Sequence, residues 1–222
     1  MSIRSRAIGK EPNPAIVFDL DGTLIDSCPG IGASLSEAFA AAGRIMPAMD
    51  LRAVIGPPIR VIAARMEPTL TENELAKIEL TFRAIYDNDG WRETVLYDGV
   101  DDTLRALHRR GVKMFIVTNK PRIPTEKVLD HLGLTFLFQK VVTRDNRTPI
   151  YSSKAEMLSE LLQQQLIGLQ PAIMMGDTRE DEEAALANGL PFFYAAYGYG
   201  TANAPHRTVI GFSELTSLFA KQ

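Results

Sequence analysis

Short apolar segments alternate with amphipathic helical segments along most of this 222-residue chain. Each apolar segment has the length of a buried strand, and the residues between successive segments repeat their apolar positions at helical spacing. Because parallel strands need a long crossover connection, strands that alternate with helices favour an α/β fold. We predict a doubly wound, mostly parallel, Rossmann-like sheet with strands near residues 15–19, 112–117, 140–143, 171–175 and 192–195.

The stretch from residue 26 to residue 94 interrupts this alternation, because it has helical patterns and no convincing strand. Its clearest helix begins after Thr71, where Thr71-Glu72-Asn73-Glu74 has the form of a capping box. A helical insertion between two strands of a sheet is typical of a separate small domain. We therefore predict a flexible lead-in over residues 1–14, a core over 15–25 and 95–222, and a helical cap over 26–94, with hinges near residues 26–27 and 93–96.

The composition is that of a globular protein, with 45% hydrophobic residues and a formal net charge of −3. This balance offers no basic surface for wrapping a nucleic acid, so we expect no nucleic-acid partner. No apolar run has the length of a membrane-spanning helix, and the N-terminal residues lack the apolar centre of a signal peptide. With Cys28 as its single cysteine the chain forms no internal disulfide, and we expect a cytoplasmic protein without a membrane partner.

Reactive side chains follow three of the predicted strands. The residues are Asp19 and Asp21 after the first strand, Thr118 and Asn119 after the second, and Asp177 after the fourth. In an open parallel sheet, ligands bind beyond the carboxyl ends of the strands. We therefore expect these groups to form one composite site.

The segment Asp19-Leu20-Asp21-Gly22-Thr23 is the most specific of the three. Alternate residues of a strand share a face, so Asp19 and Asp21 leave the strand end on the same side. Two neighbouring carboxylates need a cation or a proton to compensate them, while Gly22 allows the backbone to turn beside a ligand. The pattern predicts a metal and phosphate site. In it Asp19 is the nucleophile, Asp21 is the general acid and base, and Gly22 and Thr23 contact the substrate.

The other two strand ends would supply donors and metal ligands. Thr118 and Asn119 can donate to phosphoryl oxygens, which carry the charge in the transition state of phosphoryl transfer. We expect the next residue, Lys120, to be solvated.

A magnesium ion prefers oxygen ligands. The carboxylates of Asp19 and Asp177, together with the backbone carbonyl of Asp21, would provide them. We assign Asp181 to the same metal site, because it follows Asp177 by one helical turn. We expect it to hold a metal-bound water or a nearby cation rather than to bind the ion directly.

Four segments, in order along the chain, resemble the four signatures of the haloacid dehalogenase superfamily, whose members are mostly phosphatases. They are Asp19–Thr23, Thr118, Lys154 at the start of a helix, and Gly176–Asp181. Where many related sequences have Lys-Pro, this chain has Lys154-Ala155. The resemblance extends from about residue 15 to residue 218, and the segments 55–59 and 197–200 are similar to the phosphoglycolate-phosphatase-like branch.

This resemblance implies that Thr118 binds the phosphoryl group and that Lys154 neutralises Asp19 and the transferred group, with Asp181 placed to hold Lys154. It also implies a doubly wound core with a small helical cap, a Mg2+ cofactor and hydrolysis of a phosphate monoester through an aspartyl-phosphate. We expect a small phosphorylated metabolite as the substrate. Phosphoglycolate, a sugar phosphate, a nucleotide and pyrophosphate all fit.

The predicted cap would exclude water and select the leaving group. Its loop Gly56-Pro57-Pro58 is our candidate for a rigid specificity element that faces the site. Arg60 follows that loop and is the first candidate for contacting a second anionic group on the substrate. Residues such as Phe39 and Phe82 could pack within the cap or pair two copies of the chain, so a monomer and a homodimer both stay open.

Two other functions stay open from the sequence. A sugar-phosphate mutase would use the same aspartyl-phosphate and return the phosphoryl group to its substrate. A pseudo-phosphatase would bind a phosphorylated ligand without turnover, although Asp19, Asp21, Lys154 and Asp177 are all present. Dehalogenation is disfavoured, because cleavage of a carbon–halogen bond needs no acid at Asp21.

Overall fold

The computed structural model describes residues 15–164, 171–203 and 207–219. The strands are β1 (Ala15–Phe18), β2 (Ile25–Asp26), β3 (Val95–Leu96), β4 (Met114–Thr118), β5 (Lys140–Thr143), β6 (Ala172–Gly176), β7 (Phe192–Ala195) and β8 (Arg207–Val209). The α-helices are α1 (Cys28–Ala41), α2 (Ile59–Met66), α3 (Glu72–Tyr86), α4 (Val100–Arg109), α5 (Arg122–His131), α6 (Lys154–Gln163), α7 (Arg179–Ala187) and α8 (Glu214–Leu218).

Strand β1 lies inside a six-stranded sheet with the order β5-β4-β1-β6-β7-β8, in which all neighbours are parallel. Its residues alternate between two hydrophobic clusters: Ile16 and Phe18 belong to one, and Ala15 and Val17 to the other. Helices α4 and α5 contribute to the first cluster, and α6 and α7 to the second. Both faces of the sheet are therefore covered, which confirms the predicted doubly wound α/β fold.

Strands β2, β3 and β8 are not predicted from the sequence. The first two have two residues each, and β8 has three, of which Arg207 and Thr208 are exposed. Segments this short cannot display an alternating pattern. They form because the fold brings each of them next to another strand. Strand β8 pairs with β7, and β2 pairs antiparallel with β3.

Residues 28–93 contain α1, α2, α3 and the loops between them, and no strand. Thr71 caps α3 through the predicted capping box. The backbone N–H of Thr71 donates to Glu74 (2.8 Å), and the backbone N–H of Glu74 donates to the Thr71 hydroxyl (3.3 Å). Helix α1 packs against α3, and Phe39 and Phe82 are buried within this chain.

Strands β2 and β3 stand where the chain enters and leaves the helical segment. Ile25 pairs with Leu96 and Asp26 with Val95, so the two predicted hinges lie side by side. The division into a core and a cap stays a prediction, and the predicted lead-in over residues 1–14 lies outside the described residues. Within the described ranges, no helix has both the length and the apolar character needed to cross a bilayer.

Candidate active site

The carboxyl ends of β1, β4 and β6 bring the predicted groups to one place. Asp19, Thr118 and Asp177 lie at these three neighbouring strand ends, and each is at most 4% exposed. Lys154 at the start of α6 reaches the same point, with its Nζ 2.8 Å from Asp19 Oδ1 and 2.6 Å from Asp181 Oδ1. Burial disfavours the charged form of Lys154, but Asp181 and Asp19 outweigh burial and raise the pKa of the lysine.

Asp19, Asp177 and Asp181 form a buried cluster in which one carboxylate oxygen of each lies within 4.8 Å of the others. Burial raises the pKa of Asp19 well above its ordinary value, although Lys154 opposes this effect. Burial and the charge of Asp181 raise the pKa of Asp177 to about 6. Three carboxylates and one ammonium leave two negative charges, which one divalent cation would balance. The charge and the oxygen donors of the cluster therefore fit Mg2+.

The Asp177 carboxylate accepts hydrogen bonds from the turn after β1 and from the loop after β7. The Thr23 hydroxyl donates to Oδ1 (3.2 Å), and the backbone N–H groups of Tyr199 and Gly200 donate to Oδ2 (2.8 and 3.2 Å). Gly22 has a φ of +88°, and a Cβ at this position would lie 2.3 Å from Asp177 Oδ2, so only glycine fits. Gly22 and Thr23 thus contact Asp177, and neither lines the cavity described below. Their predicted contact with the substrate stays a prediction.

Asp181 has protein donors on both carboxylate oxygens. Oδ1 accepts from Lys154, and Oδ2 accepts from the backbone N–H (2.9 Å) and the hydroxyl (2.6 Å) of Thr178 in the capping box of α7. These bonds agree with the expectation that Asp181 holds Lys154. Its place in the metal site stays a prediction.

Lys120 is buried, and the expectation that it is solvated is wrong. It is 7% exposed, and its Nζ donates to Asp21 (2.9 and 3.3 Å) and to the Tyr86 hydroxyl (2.8 Å). Burial disfavours its charge, but Asp21 and Tyr86 outweigh burial and raise the pKa of the lysine. Ser27 Oγ also donates to Asp21, at 2.5 Å. Lys120 directly follows Thr118-Asn119 at a strand end, and this position could have marked it as a residue of the site. The sequence does not show, however, that the turn after β4 directs the Lys120 side chain toward Asp21.

A cavity of about 410 Å3 opens over these groups. Its floor includes Asp19, Asp21, Thr118 and Lys154. Asn119 also lines it. The Asn119 Nδ2 donates to Glu180 (2.9 Å), and its Oδ1 is buried without a hydrogen-bond partner among the described residues. The opposite side comes from the helical segment and includes the loop Gly56–Pro58, as predicted.

Arg60 is not brought to this cavity. Its guanidinium pairs with Glu72 and lies 3.6 Å from Glu79, and Arg60 is not among the residues that line the cavity. The predicted contact between Arg60 and the substrate has no support in this arrangement. Arg83 and Arg144 line the cavity instead. Arg144 follows β5 at the same edge of the sheet, so its position after a strand was the signal that could have found it.

Comparison with known proteins agrees with this geometry. Residues 16–195 match the model of the haloacid dehalogenase-like hydrolase family. The tyrosine-protein kinase PtkA of Mycobacterium tuberculosis is 31% identical over 206 residues, which are 92% of this chain and 69% of that protein. The phosphoglycolate phosphatase of Rhodobacter capsulatus is 34% identical over 193 residues, which are 84% of this chain and 85% of that protein.

Among solved structures, the crystal structure of a predicted phosphatase from Clostridium acetobutylicum aligns with a TM-score of 0.80 at 27% identity. The alignment covers 94% of this chain and 99% of that chain. The fold, the order of the signature segments and the match over residues 16–195 agree with one another. This chain belongs to the haloacid dehalogenase-like hydrolase family.

Proposed function

We propose that this protein is a Mg2+-dependent phosphatase that hydrolyses a small phosphate monoester through an aspartyl-phosphate. The observation that carries the proposal is the buried cluster of Asp19, Asp177 and Asp181 with Lys154, which has two uncompensated negative charges and of which Asp19 and Lys154 line the cavity. Membership of a hydrolase family and the similarity to a phosphoglycolate phosphatase support the reaction class.

The residues account for both displacements. First, a carboxylate oxygen of Asp19 bonds to phosphorus while the bond from phosphorus to the ester oxygen breaks, and protonated Asp21 gives its proton to the departing alkoxide. Then Asp21 takes a proton from water as the water oxygen bonds to phosphorus, and the bond from phosphorus to Asp19 breaks to release inorganic phosphate. Thr118 and Asn119 donate to the phosphoryl oxygens, and Lys154 balances their charge.

When bound, Mg2+ would balance the negative charge that builds up between Asp19 and the phosphoryl group. The side chains of Asp19 and Asp177 and the backbone carbonyl of Asp21 would hold it, with Asp181 acting through Lys154 or a bound water. Thr23 and the loop around Tyr199 keep Asp177 in place for this role.

The test is hydrolysis of p-nitrophenyl phosphate with Mg2+ and with a chelator. We expect release that depends on Mg2+ and is lost in Asp19→Asn, together with a phosphoryl adduct of the parent protein in intact-mass spectra after acid quenching. The matched control is Asp102→Asn, an exposed aspartate on α4, which should keep full activity. Normal turnover by Asp19→Asn would refute the proposed nucleophile.

The product of the reaction distinguishes the alternatives. A mutase would return the phosphoryl group to its substrate as an isomeric ester, and a kinase such as PtkA would place it on a protein. A pseudo-phosphatase would bind a phosphorylated ligand and release no phosphate. We expect inorganic phosphate as the product.

The proposal extends to the setting of the protein. We place it in the cytoplasm, as a monomer or homodimer that acts on a small phosphorylated metabolite without a nucleic-acid or membrane partner. The net charge of −3 supports the absence of a nucleic-acid partner.

A further inference from the structure

We propose that the natural substrate is a phosphate monoester of an apolar alcohol or phenol, larger than the two-carbon acid of phosphoglycolate. This inference rests on the proposed phosphatase function and names the chemical class of its leaving group. It is carried by the part of the cavity lining that comes from the helical segment, where a group of apolar side chains lies beside Glu79, Arg83 and Asp87.

This apolar wall comes from the segment between residues 31 and 82 and is built from six side chains: Ile31, Ile55, Pro58, Ile59, Ile62 and Phe82. Ile62 and Phe82 are 2% and 7% exposed, so both are anchored in the hydrophobic cluster. The ring of Phe82 stacks on Tyr86, with centroids 5.2 Å apart and planes 10° from parallel. Pro58 is exposed and Ile59 is half-buried, so these two members of the wall would bind a ligand by removing apolar area from water.

None of the six wall side chains is charged, although Arg83 of the same helix as Phe82 also lines the cavity. Of the cations that line the cavity, Lys120 and Lys154 pair with carboxylates of the floor, and Arg83 lies 3.5 Å from Glu79. Arg144 is the one lining cation without an ion pair among the described residues, and it belongs to the segment after β5 rather than to the wall. A carboxylate on the leaving group would therefore lose its hydration at the wall without gaining a partner there.

The size of the cavity agrees with a larger leaving group. Its volume of about 410 Å3 lies within the roughly 300–1,000 Å3 of sites that enclose drug-sized molecules. A phosphoryl group with two further carbons would leave the apolar wall in contact with water. An aryl or alkyl group attached to the phosphate would reach and cover it.

The first experiment compares two non-hydrolysable ligands of the parent protein in the presence of Mg2+, phenylphosphonate and phosphonoacetate, by isothermal titration calorimetry. Each methylene-sized group that leaves water improves binding about fourfold. We expect the Kd of phenylphosphonate to be at least about tenfold lower than that of phosphonoacetate. Equal affinity, or tighter binding of phosphonoacetate, would overturn the inference.

The second experiment introduces a charge into the wall. Ile59→Lys places a cation on the cavity side of α2 and should reverse the preference toward phosphonoacetate. The control Val61→Lys changes a residue of the same helix that is 38% exposed and does not line the cavity, so the preference should stay that of the parent. If both variants behaved alike, the wall would not select the leaving group.

Measurements of turnover distinguish a failure of this inference from a failure of the proposed phosphatase function. A higher kcat/KM for phosphoglycolate than for phenyl phosphate, lost on Arg144→Gln, would overturn the inference and leave the phosphatase proposal standing. Absence of phosphate release from every ester would overturn the proposed function. A higher kcat/KM for phenyl phosphate would support both.

Discussion

Replacement of Lys154 by methionine tests the charge balance of the active site most directly. The variant keeps an unbranched apolar side chain and removes an ammonium group that is 4% exposed and bonded to both Asp19 and Asp181. Removal of one partner of a buried ion pair costs about 3–5 kcal/mol, because the remaining charge stays buried and unpaired. We expect a loss of that size in the free energy of unfolding of the metal-free protein at about pH 8.

The assay is urea unfolding with linear extrapolation, in a chelator and in saturating Mg2+. Lys140→Met is the matched control, since Lys140 is half-buried, lies outside the cluster and donates to the side chain of Gln164. It should change the free energy of unfolding by less than about 0.5 kcal/mol. Mg2+ should stabilise the Lys154 variant more than the parent, because the ion compensates carboxylates that the lysine no longer neutralises.

The same experiment can refute this reasoning. A loss below about 1 kcal/mol in the chelator, equal to that of Lys140→Met, would mean that the cluster is largely protonated in the metal-free folded protein. The two uncompensated charges would then be absent, and the charge balance would no longer predict a divalent cation.

Three further predictions concern the groups around the cluster. Burial raises the pKa of Asp177 to about 6, so its contribution to the stability of the metal-free protein is fully present below about pH 4 and is lost as the pH rises through about 6. Because Mg2+ needs the carboxylate, the rise in Tm on adding Mg2+ should shrink as the pH falls through about 6, and a rise independent of pH would contradict this. Tyr86→Phe removes the hydroxyl that accepts from Lys120 and should lower kcat about three- to tenfold, whereas Tyr151→Phe, outside the cavity, should not. Gly198→Ala would place a Cβ 2.3 Å from Asp177 Cβ and should raise the Mg2+ concentration needed for activity about tenfold or more. Gly211→Ala, where a Cβ meets nothing within 4 Å, is its control, and equal Mg2+ requirements would contradict the role of the loop.

The predictable features of the site depend on residues that are close together in the sequence. Apolar runs that end in polar residues predicted the positions of Asp19, Thr118 and Asp177. In an open parallel sheet, the residues at the carboxyl ends of the strands all lie at the edge where ligands bind. The capping box at Thr71 is similarly local, since its partners are three residues apart. Lys154 had no such signal of its own and was selected only through its resemblance to a family signature.

The unpredicted part consists of contacts between residues far apart in the chain. Lys120 meets Asp21 across 99 residues, and Thr23 meets Asp177 across 154. Arg60 follows the loop that lines the cavity, yet its side chain pairs with Glu72 and Glu79. The sequence places each of these residues on an element or shortly after one, but the direction of the side chain depends on how the elements pack.

By itself, the sequence determined the alternation of strands and helices, the helical segment between β1 and β4, and the reactive groups at three strand ends. These features follow from periodicity and from residue chemistry, which act within a few residues. Only the tertiary structure decided that Lys120 is buried against Asp21, that Gly22 and Thr23 contact Asp177, and that an apolar wall lines the same cavity as Asp19. Those outcomes depend on packing between distant segments, because burial and ion pairing are decided by which groups the whole fold brings together.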